Sequence, residues 1–182
     1  MNIKDAVIVI FLSVLLFSTT WLWLSPQGLS KAPDVTFRLT DGRILDLQEI
    51  RGIPVLVTFW ATSCTGCVRE MPHLISLYED FSRSGFEIIG VAMAYDPPSH
   101  VMQMIESKKI PYPIALDIDG SIAESFDHVS LTPTSFLIAP DGRIIQHRIG
   151  EMNMESLRKQ IIDLLPQEQQ ATNHKPLVAH SL

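Results

Sequence analysis

The stretch Val55-Leu56-Val57-Thr58-Phe59-Trp60-Ala61-Thr62-Ser63-Cys64-Thr65-Gly66-Cys67 joins an apolar run to two cysteines. The run is apolar from Val55 to Trp60 except at Thr58, a pattern that favours a central strand covered on both faces. Beyond the cysteines, apolar residues recur at spacings of three and four, which predicts a helix. These residues are Met71, Leu74, Ile75, Tyr78 and Phe81. The sequence therefore places both cysteines where a buried strand ends and a helix begins.

The two cysteines form a single C-x-x-C motif, and the chain of 182 residues contains no others. A thiol in the first turn of a helix faces unpaired backbone N–H groups and the positive end of the helix dipole. Both favour the thiolate, which is the nucleophilic form of cysteine. A second thiol three residues later can close a disulfide and release a bound sulfur. The motif therefore predicts a redox-active disulfide between Cys64 and Cys67.

Two other interpretations of the motif compete with redox chemistry. A structural zinc ion needs four ligands, and the sequence has neither a second C-x-x-C nor an H-x-x-x-H pair. A purely structural disulfide over so short a span would constrain the unfolded chain little compared with one that closes a long loop. Redox chemistry is therefore preferred, and neither a metal nor a cofactor is expected.

The N-terminal segment has the length and composition of a membrane anchor. No charged residue lies between Ala6 and Leu24, and a helix over this stretch would be about 28 Å long, close to the hydrocarbon thickness of a bilayer. Trp21 and Trp23 would lie at the membrane interface. A cleaved signal peptide is the alternative, but the apolar run exceeds the usual core of a signal and no small-x-small cleavage site is well placed. We expect an uncleaved transmembrane helix within residues 1–24.

The rest of the chain divides into three parts. Residues 25–34 are rich in Pro, Gly and Ser and predict a linker, residues 35–165 predict one folded domain, and residues 166–182 lack apolar periodicity and predict a disordered tail. A single N-terminal span usually leaves its N-terminus in the cytoplasm, which places the domain on the outer, disulfide-permissive side.

The net charge of −6 argues against nucleic acid as a partner.

The pattern of the domain indicates an α/β fold. Asp41-Gly42 predicts an N-terminal β-hairpin, and Phe86 to Met93 predicts a second buried strand, parallel to the first. Asp96 followed by Pro97 predicts a helix in a central helical insertion, with Asp96 as its N-cap and Pro97 in its first turn. A second hairpin around Pro140-Asp141-Gly142 and an amphipathic last helix follow. The order β-α-β, insertion, β-β-α predicts a mixed central sheet with helices on both faces.

With these elements and motifs, the chain resembles the thioredoxin superfamily, and more narrowly the membrane-anchored TlpA/ResA-type thiol–disulfide oxidoreductases. The resemblance covers about Ala32 to Leu165. The segment Phe59 to Cys67 matches the family's F-W-A-x-x-C-x-x-C, Glu70 and Pro72 match its downstream E-x-P, and Leu131-Thr132-Pro133-Thr134 matches its T/V-P-T segment. These matches together are more specific than the C-x-x-C motif alone.

The resemblance implies a thioredoxin fold and protein disulfide chemistry. Cys64 is expected to be the attacking thiolate and Cys67 the resolving thiol. The Thr132–Pro133 bond is expected to be cis, and Thr132, Pro133 and Trp60 are expected to contact the client, with Trp60 packing beside the disulfide. The implied activity is reduction of cysteine-containing clients such as apocytochrome c. The implied setting is the periplasmic side of the inner membrane, with electrons from a membrane donor of the DsbD/CcdA type.

The chain departs from the family pattern in three ways. Thr58 stands where thioredoxin has a buried aspartate, Ser63 stands where many members have tryptophan, and Thr65-Gly66 replaces Gly-Pro or Glu-Pro. Glu70 can share a helix face with the cysteines, so we hypothesise that it replaces the missing aspartate as proton acceptor for Cys67. An ordinary solvated glutamate is the alternative.

Other functions remain open from the sequence. A copper-handling protein for oxidase assembly is the first alternative, although related copper-binding folds use C-x-x-x-C. A peroxidase would need a P-x-x-x-T-x-x-C stretch, which the residues before Cys64 lack. A non-catalytic adaptor is the third.

Overall fold

The computed structural model describes residues 14–15 and 31–166. The predicted transmembrane helix, apart from its residues 14 and 15, and the predicted disordered tail beyond residue 166 lie outside these ranges. Within them, no helix combines the length and the apolar character needed to cross a membrane.

The domain is built on a five-stranded mixed sheet with the strand order β5-β4-β3-β6-β7. β3, β4 and β5 are parallel to one another, whereas β6 runs antiparallel to β3 and β7 antiparallel to β6. The strands of this sheet are β3 (Val55–Trp60), β4 (Glu87–Ala92), β5 (Ile114–Leu116), β6 (Thr134–Ile138) and β7 (Ile144–Ile149). This mixed sheet is the one that the sequence pattern predicts.

Four α-helices are interleaved with these strands in residues 31–166. They are α1 (Thr65–Phe81), α2 (Pro98–Lys108), α3 (Ser121–Ser125) and α4 (Met154–Leu164). A 3-10 turn, Ser82–Ser84, follows α1 and ends at Gly85. The β3-α1-β4 unit is the parallel crossover expected from the sequence, and β6-β7-α4 completes the second half.

The sheet is covered on both faces, and β3 supplies both cores because every one of its residues is buried. Alternate residues point to opposite faces of a strand. Leu56 and Trp60 pack with side chains of α1, α2 and α4, whereas Val57 and Phe59 pack with side chains of α3 and the N-terminal hairpin. The prediction of helices on both faces is correct, although α3 is short and the hairpin completes the cover on its side.

The N-terminal hairpin consists of β1 (Thr36–Arg38) and β2 (Ile44–Asp46), which pair antiparallel. It lies next to β5, because Leu39 pairs with Ala115. Two residues assigned to the linker also join the domain, since Lys31 pairs with Arg143 and Ala32 is buried. The folded domain therefore begins a few residues before residue 35.

The interpretation of Asp96 as the cap of α2 is wrong. Pro97 is the N-cap residue of that helix, and no side chain caps the helix there. The Asp96 carboxylate instead accepts hydrogen bonds from Thr62, which precedes the C-x-x-C motif. β3 and β4 are parallel, so their carboxyl ends meet at one edge of the sheet, and the residues after them can touch.

Candidate active site

The two cysteines form a disulfide at the start of α1. Cys64 is the N-cap residue of this helix, and its Sγ accepts a 3.1 Å hydrogen bond from the backbone N–H of Cys67. The two Cα atoms are 5.3 Å apart. Cys64 is half-buried, whereas Cys67 is only 4% exposed. An incoming sulfur therefore reaches Cys64 more readily than Cys67.

The turn before Cys64 is held by a buried carboxylate. Asp96, 6% exposed, accepts a 2.5 Å hydrogen bond from the Thr62 N–H and a 2.6 Å bond from the Thr62 hydroxyl. The N–H of Cys64 then donates to the carbonyl of Ala61 at 3.1 Å. These bonds connect the end of β3 to the loop after β4 and fix the backbone that leads into the motif.

The segment before β6 lies beside the disulfide. The Thr132–Pro133 peptide bond is cis, as the resemblance implies. Pro133 is buried, and a Cβ placed on Gly66 would be 3.5 Å from its Cδ, so Pro133 lies against the C-x-x-C turn. Thr132 is half-buried, and its hydroxyl lies 3.4 Å from the hydroxyl of the exposed Tyr95. Thr132 and Tyr95 thus lie at the surface next to the motif.

Glu70 is buried on the inner side of α1, with 3% of its surface exposed. Its Oε1 accepts a 2.7 Å hydrogen bond from the backbone N–H of Met152. Burial raises the pKa of the Glu70 carboxyl, and the Met152 hydrogen bond opposes this rise. Glu70 is therefore not an ordinary solvated glutamate, and protonation of its carboxyl is made easier by its surroundings.

Glu70 and Cys67 line the same small cavity beneath the motif. The residues around it are Thr58, Trp60, Cys67, Glu70, Met71, Leu74, Tyr112 and Pro133. The structure thus brings the predicted proton acceptor and the predicted resolving cysteine to one small, partly open cavity. Cys64 is not among the residues that line this cavity.

Trp60 lies in the core rather than at the surface. It is 4% exposed and packs in the same cluster as Cys67 and Met71. Among the described residues, its buried Nε1 has no hydrogen-bond partner. The expectation that Trp60 packs beside the disulfide agrees with this position. Its burial leaves little surface for a client, so the structure does not support the expected client contact.

Thr58 occupies the central strand beneath the motif. Its hydroxyl accepts a 2.8 Å hydrogen bond from the hydroxyl of Ser135 on β6, and both residues are buried. The position that carries an aspartate in thioredoxin is thus a neutral pair of hydroxyl groups here. Glu70 is the only carboxylate among the residues that line the cavity next to Cys67.

A second carboxylate lies close to the motif, and sequence reasoning missed it. A Cβ placed on Gly66 would lie 3.3 Å from Oε1 of Glu151. The guanidinium of Arg69 pairs with Glu151, with its Nε 3.1 Å from Oε2. Arg69 and Glu151 are far apart in the sequence and belong to no motif, so local patterns contain no signal for this pair. Asp96 was noticed in the sequence but assigned to the wrong contact.

The sequence analysis expected no metal site. Across residues 31–166, no group of three or more His, Cys, Asp or Glu side chains is arranged to hold a metal ion. Neither cysteine is free, because both are joined in the disulfide.

The two cysteines form a disulfide at a helix N-terminus, next to a cis-proline segment of the mixed sheet, and Cys64 is more exposed than Cys67. This arrangement defines a thiol–disulfide oxidoreductase of thioredoxin-like fold. The sequence profile of the Redoxin family matches residues 28–162, and the chain belongs to that family. It is 32% identical over 136 residues to the thiol-disulfide oxidoreductase ResA of Bacillus thuringiensis subsp. konkukian, covering 75% of this chain and 78% of the relative. ResA of Bacillus subtilis is 31% identical over 136 residues, covering 75% and 74%.

Solved structures agree with this assignment. A putative thiol:disulfide interchange protein DsbE from Chlorobium tepidum superposes with a TM-score of 0.69 at 26% identity, over 78% of this chain and all of that one (100%). StoA from Bacillus subtilis superposes with a TM-score of 0.62 at 25% identity, over 70% of this chain and 96% of that one. The fold and the Cys64–Cys67 disulfide therefore agree with the oxidoreductase class of these relatives.

Proposed function

We propose that this protein is an extracytoplasmic, membrane-anchored reductase of disulfides in client proteins. The observation that carries the proposal is the unequal exposure of the two cysteine residues. Cys64 is half-buried at the tip of α1, whereas Cys67 is enclosed above the cavity that contains Glu70. This arrangement suits a pair in which one sulfur meets the partner and the other completes the exchange inside the protein.

The reaction begins with the reduced dithiol. The Cys64 thiolate attacks one sulfur of a client disulfide, forms a mixed disulfide and expels the second client sulfur as a thiolate, which takes a proton from solvent. Cys67 loses its proton and attacks Cys64, which releases the first client sulfur. The client gains two electrons, and Cys64 and Cys67 become the disulfide that the structure contains.

Glu70 is proposed to take the proton of Cys67 during the second step. The two residues line one cavity, and burial raises the pKa of the Glu70 carboxyl towards the range useful for proton exchange with a thiol. Met152 supports the ionised form by its hydrogen bond and holds the carboxylate in place. Glu70 thereby fills the position that the hydroxyl pair of Thr58 and Ser135 cannot fill, because hydroxyl groups of that kind do not accept a proton readily.

The client is proposed to lie across Thr132 and Pro133 beside Cys64. An extended client segment is proposed to pair with the backbone of Thr132, a mode that binds main chain and selects only loosely among side chains. Thr132 and Tyr95 flank this path at the surface. Apocytochrome c and other cysteine-containing proteins are the proposed clients.

The location and the electron supply follow from the N-terminal segment. Residues 1–24 are proposed to form an uncleaved anchor in the inner membrane, followed by a linker up to residue 30. Residues 31–165, which include the linker residues that join the fold, are proposed to form a domain on the periplasmic side, followed by the tail 166–182. Net reduction on that side requires electrons delivered across the membrane, for which a donor of the DsbD/CcdA type is proposed.

Trapping with Cys67→Ala tests the proposal. This variant cannot complete the exchange, so Cys64 should retain its partner as a mixed disulfide that mass spectrometry identifies. The matched control is Cys64→Ala, which should trap at most a trace, because the buried Cys67 cannot reach a client. Equal trapping by the two variants, or no reduction of insulin by the wild-type protein, would contradict the proposal. Titration of the reduced protein with Cu(I) tests the copper-handling alternative separately.

A further inference from the structure

Glu151 lies directly against the C-x-x-C motif. Gly66 has no side chain, and a Cβ there would be 3.3 Å from Oε1 of Glu151 and 3.7 Å from its Cγ. The 3.3 Å contact is tighter than most contacts of a real Cβ, whereas 3.7 Å is an ordinary van der Waals distance, so a side chain at position 66 would require Glu151 to shift by a few tenths of an ångström. The absence of a side chain at Gly66 therefore allows the Glu151 carboxylate to lie close to the residue that separates Thr65 from Cys67.

The backbone around Glu151 is fixed on both sides. The N–H of Gly150 donates to the carbonyl of Pro133 at 2.8 Å, and the N–H of Met152 donates to Glu70 at 2.7 Å. Glu151 thus lies between a bond to the cis-proline segment and a bond to the buried carboxylate. Its position relative to the motif follows from these bonds rather than from a mobile loop.

The side chain of Glu151 is held by an arginine on the active-site helix. The guanidinium of Arg69 donates to both carboxylate oxygens, a two-point contact that gives geometric specificity. The hydrogen bonds from Arg69 lower the pKa of the Glu151 carboxyl, so Glu151 is ionised at neutral pH. The motif therefore faces one negative and one positive charge, both partly exposed to solvent.

We propose that the Arg69–Glu151 pair sets how readily the Cys64 thiolate forms, with Glu151 opposing the thiolate and Arg69 offsetting that effect. A negative charge near a thiol disfavours the thiolate, and a positive charge favours it. Because the carboxylate lies against the motif itself, it is placed to act on the sulfur that the client meets. Glu151 and Arg69 touch neither sulfur in the described contacts, so they act as tuning residues and not as catalytic ones.

The other ionisable residues around the dithiol are not substituted in the variants compared below. From α1 and its neighbours these are Glu70, His73, Tyr95, Asp96, Tyr112 and Arg148. Asp96 is bonded to Thr62, and Glu70 is buried on the cavity side of α1 with no hydrogen bond to Arg69 or Glu151. The charge of Glu151 does reach Glu70, because it adds to the rise that burial causes in the pKa of the Glu70 carboxyl. Arg148 donates to the backbone carbonyl of Glu151 rather than to its carboxylate.

The test is the thiolate titration of Cys64 in the full chain carrying Cys67→Ala, followed by ultraviolet absorbance. In that background, Glu151→Gln should lower the pKa of Cys64 by about 0.5 unit, the size expected for one charge near a protein surface. Arg69→Gln should raise it by a similar amount, because Glu151 then acts without compensation. The double variant should return close to the parent value.

The opposite signs separate tuning from structural support. If the pair merely held the segment around Glu151 in place, both single variants would disturb the same contact and shift the titration in the same direction. Shifts of the same sign, or no shift in either variant, would overturn the inference. Both shifts should also shrink in 1 M salt, where screening acts over about 3 Å.

A second ion pair on α1 provides the matched control. Arg158 donates to Asp80 at 2.5 Å and is similarly exposed, but Asp80 lies at the far end of the helix. Asp80→Asn and Arg158→Gln should leave the titration of Cys64 unchanged. The inference rests on the proposed role of Cys64 as the attacking thiolate. The titration needs no client, so it can fail while insulin reduction succeeds, or succeed while insulin reduction fails.

Discussion

The backbone N–H of Met152 donates a 2.7 Å hydrogen bond to the buried carboxylate of Glu70. This bond joins the active-site helix to the segment that precedes α4, and it lies on the cavity shared with Cys67. A buried carboxylate with so few partners is costly in its charged form. The site thus keeps, next to the inner sulfur, a group that changes protonation more easily than an exposed glutamate.

Replacing Glu70 by Gln should slow the release of the client by about 100-fold, the lower range for loss of a positioned proton acceptor. Glutamine keeps the size of the side chain and its acceptor for Met152 but cannot take a proton. Loss of the negative charge should also lower the pKa of Cys67. Single-turnover resolution of a mixed disulfide and thiol titration measure the two effects. Glu79→Gln, an exposed change on the same helix, is the control; an unaltered titration in Glu70→Gln would refute the role.

The pH dependence of stability should also report Glu70. Burial raises the pKa of its carboxyl, so the folded chain binds this proton more tightly than the unfolded chain. The stabilising contribution is complete below the unfolded pKa, about 4.3, and is lost as pH rises through the folded pKa. The free energy of unfolding of the wild type minus that of Glu70→Gln should therefore fall with rising pH, by at most about 1.4 kcal/mol per unit.

Urea unfolding of the two oxidised proteins at a series of pH values measures this difference. The carboxyls that both proteins share contribute equally and cancel. A difference that grows with rising pH would mean that the folded state favours the charged carboxylate, contrary to the effect of burial.

Gly90 on β4 leaves room for the side chains beneath the motif. A Cβ at this position would lie 2.5 Å from Cδ1 of Ile114 and 3.2 Å from Nε1 of Trp60. Gly90→Ala should therefore destabilise the protein by about 1–3 kcal/mol, as overpacking of a core does. Ile114→Val removes the nearest atom, so the double variant should lose less than the sum of the single changes. Additive losses in urea unfolding would exclude this clash as the cause.

Asp96 and Thr62 should be energetically coupled. Asp96→Asn weakens two hydrogen bonds to a buried carboxylate, which should cost about 1.5–3 kcal/mol of unfolding free energy. Thr62→Val removes the hydroxyl bond, whereas Thr62→Ser keeps it and should be milder. A double-mutant cycle of Asp96→Asn with Thr62→Val should give a coupling of about 1 kcal/mol. A coupling near zero would mean that these bonds do not hold the turn.

Local patterns in the sequence predicted the elements that carry the site. The continuous apolar run Val55–Trp60 predicted a strand buried on both faces, and the spacing of three and four after Cys67 predicted a helix with one buried face. Both patterns are formed by neighbouring residues. Asp41-Gly42 likewise predicted the N-terminal hairpin, whose turn lies between Arg38 and Ile44. The prediction that the Thr132–Pro133 bond is cis rested on the family resemblance, because isolated X–Pro bonds are mostly trans.

Contacts between distant residues were predicted poorly. The sequence indicated a helix start at Asp96, but the carboxylate binds Thr62 because the parallel pairing of β3 and β4 brings their ends together. Nothing near Gly66 pointed to Glu151, which reaches it only because the segment after β7 is bonded to Pro133 and Glu70.

The sequence by itself determined that two cysteines stand at a strand-to-helix junction within an α/β domain, because hydrophobic period and helix-end chemistry act over neighbouring residues. Only the tertiary structure decided which sulfur is enclosed, that Glu70 is buried beside it, and that Glu151 and Arg69 face the motif. Burial and electrostatic environment depend on groups brought together from separate elements, and a linear pattern contains no distances between them.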